Sequence, residues 1–245
     1  MRRLILPAIL LFLAAACTPS RVPPAPTAEH YLQEGESYFD KGLYKEAIAS
    51  WEKVRESYYS PELNSLAEMK IAEAHYLAEE YVESAAAYED FLKAHPNHER
   101  TPQILYLLGM SYFNQMLSAD RDQTATRNAL VTFQSLAKRF PESPRAREVA
   151  PFIERCKNRL ADHELYVGNF YLRTEHYEAA IHRFKGIFTL FPDFRHRDRA
   201  YFLLGKAYLD SGQREKAAEA FKALQQEFPD SEDIDEAHQL MDNLD

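Results

Sequence analysis

The chain has 245 residues, with 29 Lys and Arg set against 38 Asp and Glu, a formal net charge of −9. That balance excludes the strongly basic face by which nucleic-acid binders engage phosphate, and it supplies no general attraction to anionic lipid. Only two cysteines and seven glycines occur, and no run alternates apolar with polar residues as a half-buried strand would, so an all-α fold is expected.

Taken in chain order, residues 1–16 read as a signal segment. Met1-Arg2-Arg3 is basic, Leu4 to Leu13 is apolar and Ala14 to Ala16 is a small-residue cleavage zone. About ten apolar residues are too few to span a hydrocarbon core roughly 30 Å thick. Cys17 follows directly. Leu13-Ala14-Ala15-Ala16-Cys17 resembles a bacterial lipobox, with Ala14 where leucine is usual. The resemblance implies acylation of Cys17 and attachment to a membrane through that lipid; an ordinary cleaved signal peptide with an incidental cysteine is the plain alternative. Residues 17–27 carry Pro19, Pro23, Pro24 and Pro26, which favours an extended tether of about 3.1 Å per residue. Thr18 stands where inner-membrane lipoproteins of the enteric type carry Asp, so by resemblance the destination is the outer membrane, facing the periplasm. Loss of Arg2 and Arg3 with the signal takes the formal charge from −9 to −11. With Cys17 acylated, Cys156 has no intrachain partner for a disulfide and is expected as a buried small hydrophobe on a helix.

From Glu29 onward a small residue, a Tyr or His three further on, a second small residue, an aromatic and a Pro recur. Gly35, Tyr38, Ala47 and Trp51 open the series, and Ala72, His75, Ser84, Tyr88 and Pro96 repeat it. Gly109, Tyr112, Ala129, Phe133 and Pro141 form the third copy, Gly168, Tyr171, Ala180, Phe184 and Pro192 the fourth, and Gly205, Tyr208, Ala217, Phe221 and Pro229 the fifth. This is the tetratricopeptide (TPR) pattern, a helix–turn–helix unit stacked into a solenoid. Successive copies lie 37 residues apart except between Gly109 and Gly168, where the interval is 59. Some of the extra residues fall near Met116 to Gln123, where Asp120-Arg121-Asp122 breaks the helical pattern. The rest follow Pro141, where Ser143-Pro144 reads as an N-cap and first turn. Arg145 onward then reads as a helix running into the fourth repeat, with a kink at Pro151. The expected organisation is a three-repeat half over residues 28–141, then a C-terminal half over 142–245 made of a linking helix and two repeats.

In a TPR superhelix the first helix of each hairpin lines the inner face. That places Leu32, Phe39, Met69, Tyr76, Tyr106, Met110 and Phe113 along a groove of the first half, among Glu29, Glu36 and Glu73. Rings and methionines adapt to varied side chains, so such a groove suits an extended apolar peptide. Packing of these residues inside their own hairpins is the other possibility the spacing leaves open.

Three stretches sharpen the reading: Asp120-Arg121-Asp122 with Ala129-Leu130-Val131-Thr132-Phe133 and Arg139-Phe140-Pro141-Glu142-Ser143; Asn158 to Val167; and Ala179-Ala180-Ile181-His182-Arg183-Phe184. Together with the lipobox, tether and five repeats, they resemble the BamD family (also ComL or YfiO), the TPR lipoproteins of the β-barrel assembly (BAM) complex. His182 stands where that family usually has Asn, Gly168 where it usually has Ala, and the loop in the 120s is a few residues short. The resemblance implies a scaffold with several partners: the POTRA domains of BamA, other BAM lipoproteins, and unfolded outer-membrane proteins whose targeting segments enter the N-terminal groove. It also implies BamA docking at Arg183, whose guanidinium can hold a carboxylate bidentately; an exposed arginine in a local ion pair is the alternative.

A periplasmic TPR adaptor coupling envelope or peptidoglycan processes, of the Tol-associated kind, is a second reading, since residues 200–231 resemble its repeats equally well. Such adaptors generally carry a coiled coil ahead of the repeats, and no heptads lie between Cys17 and Glu29. Catalysis is not indicated. His163-Glu164 lacks a second His at helical spacing, His95 and His98 flank a turn without acidic or Cys companions, and no glycine-rich phosphate loop is present. No catalytic residue, metal site or cofactor is therefore expected.

Overall fold

The computed structural model describes residues 26–56 and 60–242, and within them the chain forms twelve helices and no strand. The signal segment, Cys17 and nearly all of the tether lie outside the described residues. Five antiparallel hairpins are present: α1 (Ala28–Phe39) with α2 (Tyr44–Glu56), α3 (Pro61–Leu77) with α4 (Tyr81–Ala94), α5 (Thr101–Asn114) with α6 (Thr124–Arg139), α8 (Ala150–Arg173) with α9 (Tyr177–Leu190), and α10 (Arg197–Asp210) with α11 (Arg214–Glu227). A short α7 (Pro144–Glu148) precedes α8, and α12 (Ile234–Asp242) packs on α11. None of these helices is long and apolar enough to cross a membrane.

The repeated small and aromatic residues make each hairpin. A Cβ at Gly35 would run into the Trp51 indole, and one at Gly109 or Gly205 into the ring of Phe133 or Phe221. Those rings are fully buried, so the absent side chain is what lets the two helices of a pair approach. Four of the five turns share one geometry. Gly42, Glu79, Glu175 and Gly212 occupy the same place in the repeat and all have positive φ, between 60° and 78°. Directly after them, the N–H groups of Leu43, Glu80, His176 and Gln213 donate to the carbonyls of Tyr38, His75, Tyr171 and Tyr208. This is the Schellman closure of a helix end. The recurring Tyr or His of the motif therefore marks the carbonyl that accepts this bond.

The third repeat departs from that pattern, because nine residues separate α5 from α6. The Gln123 side chain, 1% exposed, fastens this loop by donating to the carbonyls of Ser118 and Arg121 while accepting from Thr126 Oγ1. The expected helical break at Asp120 to Asp122 is present. At the next junction Ser143 does precede a helix, but its hydroxyl makes no capping bond. The helix divides at Val149, ahead of Pro151, which sits in the first turn of α8 where a missing N–H costs nothing. The expected kink at Pro151 is thus a new helix start.

Packing runs unbroken across residues 141 and 142. One apolar cluster joins Phe113, Phe133 and Leu136 of the third repeat to Val149 and Cys156, with Phe152 stacked on Phe133 at 5.6 Å. The first half of α8 thereby belongs to the third repeat and its second half to the fourth, where Ala161, Leu165 and Leu172 join the cluster built on α9. A 24-residue helix, about 36 Å long, bridges the two.

Candidate interaction surfaces

The residues assigned to the N-terminal groove occupy three places in the repeat. Leu32, Met69 and Tyr106 share the first, three positions before the small residue, and all are partly buried. Leu32 also accepts, through its carbonyl, the Trp51 indole N–H at 3.2 Å. Tyr106 lies under α7: the Arg145 guanidinium stands 4.7 Å from its ring centre and donates through Nε to Gln103. Met110, alone in the second place, packs on the cluster of the third repeat.

Phe39, Tyr76 and Phe113 share the third place, one turn beyond the small residue, and this place points back into the hairpin. Phe39 lies against Tyr44 and Trp51, each at 5.6 Å, and Tyr76 against Tyr81 at 5.6 Å. Phe113 is 9% exposed, edge-on to Phe133 and Phe152 and beneath the Arg155 guanidinium. Its assignment to the groove is therefore corrected: it is a core residue, covered because α8 folds over the third repeat. Sequence spacing could not reveal this, since Phe152 comes from the irregular insert. Between the first two repeats, Lys70 reaches Glu36 at 2.5 Å and stands 5.4 Å from the Trp51 ring centre, so the repeats are joined by a cation seated among rings.

Arg183 pairs with Glu164 through one nitrogen, its Nη1 donating to both carboxylate oxygens at 3.3 and 3.0 Å. This hydrogen bond raises the guanidinium pKa above its ordinary value. Arg183 thus clamps α9 to α8, with 38% of its side chain still exposed.

Cys156 is fully buried with its Sγ 3.8 Å from Met116 Sδ, and burial pushes its thiol up to about 12. Among the described residues no three His, Cys, Asp or Glu side chains are grouped to hold a metal. His95 is not a free turn residue: its Nε2 lies 2.9 Å from Glu68 and its ring lies on Phe91. A cleft of about 400 Å³ between the start of α8 and the α9–α10 turn is lined by Ile153, Phe191 and Phe194 with Glu154, Lys157 and Asp193 at its edge.

A model of the YfiO family, described as outer membrane lipoprotein, matches residues 24–219. Among curated relatives, the outer membrane protein assembly factor BamD of Caulobacter vibrioides is 27% identical over 173 residues, covering 71% of this chain and 57% of that protein. BamD of Vibrio cholerae is 27% identical over 196 residues, covering 76% of this chain and 81% of that protein. The solved TPR2AB domain of yeast Sti1, in complex with pHSP90, overlays with a TM-score of 0.40 and 13% identity, over 89% of this chain and 98% of that one. With most of its length matched by the family model and its BamD relatives aligned over the repeats, the chain belongs to the YfiO, or BamD, family of outer membrane lipoproteins.

Proposed function

We propose that this protein is a periplasm-facing scaffold of the BAM complex, held in the outer membrane by lipid on Cys17. In this reading it docks the POTRA domains of BamA, contacts other BAM lipoproteins and receives the targeting segments of unfolded outer-membrane proteins. It acts by binding, not by catalysis. The observation that carries the reading is family membership across nearly the whole repeat array, with relatives named as assembly factors.

Two features support the details. The hairpins form a rigid stack whose exposed faces can hold several partners at once. The Arg183–Glu164 clamp presents a guanidinium in fixed orientation midway along the α8–α9 hairpin, which suits a carboxylate on an incoming domain. In the first half, Leu32, Phe39, Met69 and Tyr76 are the groove candidates that stay partly accessible in the two repeats not overlain by α7 and α8.

A tagged chain purified from detergent-solubilised outer membranes should carry with it a large barrel protein bearing POTRA domains, and its depletion should lower the amount of folded barrel protein. Recovery of Tol or peptidoglycan-synthesis components without that barrel protein would replace this reading with the adaptor one.

A further inference from the structure

Each first helix of the array carries a stripe that faces the preceding repeat. In the second repeat it is Ala67, Ile71 and Ala74, in the third Ile104, Leu108 and Ser111, and in the fifth Ala200, Leu204 and Ala207; all nine are buried. The cover is helical each time, from α2, α4 and α9. In the first repeat the same places hold His30, Glu34 and Ser37, a polar finish suited to the end of a solenoid.

The fourth repeat fits neither pattern. Its stripe is His163, Val167 and Phe170, flanked by Tyr166, and none of these is buried; Tyr166 and Phe170 are each 48% exposed. The cause is the irregular insert. Helix α6 spends its contacts on the first half of α8, around Phe152 and Cys156, and with 16 residues against 24 it ends before the second half. His163 Nδ1, 2.7 Å from the Ala119 carbonyl in the loop before α6, marks where the cover stops.

We propose that this stripe is a docking site for an amphipathic helix of a partner protein, one that supplies the missing second helix of a preceding repeat and carries carboxylates beside its apolar face. A helix is indicated because helices cover the equivalent face in the second, third and fifth repeats. The acidic flank follows from charge. Arg159 and Arg173 lie on the same side of α8, one turn either side of the stripe, and neither has an ion pair among the described residues, although the chain as a whole is acidic. The acidic residues of this half of α8 are already engaged, Asp162 with Arg195 and Glu164 with Arg183. The site is separate from the Arg183 clamp, and its test does not depend on the BAM reading.

The natural probe is α4, residues 81–94, which covers the equivalent face of α5 and carries Glu83, Glu89 and Asp90 against Lys93. A fluorescent peptide of this sequence, stapled because isolated helices this short are marginal, is titrated against the full chain and followed by anisotropy. Saturable binding is expected, weakened at least tenfold by Phe170→Ala with Tyr166→Ala, weakened severalfold by Arg173→Glu, and reduced by salt. Circular dichroism confirms that the variants keep their helices, which two exposed rings do not hold together. The absence of saturable binding, or equal affinity in the ring variants, overturns the proposal. So does equal binding of an unstapled analogue interrupted by Pro, which would assign the face to extended chain, or concentration-dependent dimerisation abolished by Phe170→Ala, which would assign it to a second copy.

Discussion

At the scale of single residues, the aromatic position of the repeat gives the sharpest expectations. It is Trp51, Tyr88, Phe133, Phe184 and Phe221, and each ring is at most 1% exposed. Only Tyr88 brings a hydroxyl that finds no partner among the described residues, and burial raises its pKa further above the ordinary phenol value. An unpaired buried hydroxyl costs about 1–3 kcal/mol, so Tyr88→Phe should stabilise the fold by about that amount, read as a higher midpoint in denaturant unfolding. Phe133→Ala should instead cost about 3–5 kcal/mol, since the ring fills space shared with Gly109, Phe113 and Phe152. Cys156 should react with thiol reagents only as fast as the protein opens, because its raised pKa leaves almost no thiolate at neutral pH and its sulfur is buried. Rapid labelling of the native protein would contradict its place in the core.

At the scale of elements, α8 decides how the array is divided. Its first half is tied to the third repeat through Phe152, which lies 5.1 Å from Phe113 and 5.6 Å from Phe133. Phe152→Ala should therefore cost about 3 kcal/mol and, in hydrogen exchange, loosen α5 and α6 along with α8. Loss of protection in α8 alone would mean that the halves divide near residue 141 as the spacing suggests. The clamp on the other side of α8 is weaker. With Arg183 more than a third exposed, breaking its pair by Glu164→Gln should cost no more than about 1 kcal/mol. If Arg183 also meets a carboxylate on a POTRA domain, Arg183→Glu should reduce affinity for isolated POTRA domains more than Arg183→Ala does, by about 2–5 kcal/mol where the contact is desolvated. Unchanged affinity in both variants, with helicity intact, would leave Arg183 as a structural clamp.

For the whole molecule, the question is what holds it at the membrane. No described helix can span a bilayer, and an acidic body draws no help from anionic lipid, so under the proposed function attachment rests on Cys17. Cys17→Ala should shift the protein from the membrane pellet to the soluble periplasmic fraction with its thermal midpoint unchanged. Continued recovery with membranes in high salt and in the absence of BamA would show that lipid on Cys17 is not the anchor.

The sequence by itself determined the repeat, the all-α class and the hairpin interiors. Small residues opposite aromatics and a Tyr or His before each turn are local requirements, met at fixed spacing and legible without the fold. It also located both irregular segments, since Gly109 to Gly168 breaks the 37-residue interval. Only the tertiary structure decided what those segments do. Phe113 and Tyr76 have the same place in the repeat, yet Phe113 is buried because Phe152 of α8 lies over it, and spacing carries no information about contacts across a register break. For the same reason the open stripe at Val167 and Phe170 was illegible. Its residues look like any first-helix face, and they stand uncovered because α6 is already engaged one half-helix earlier.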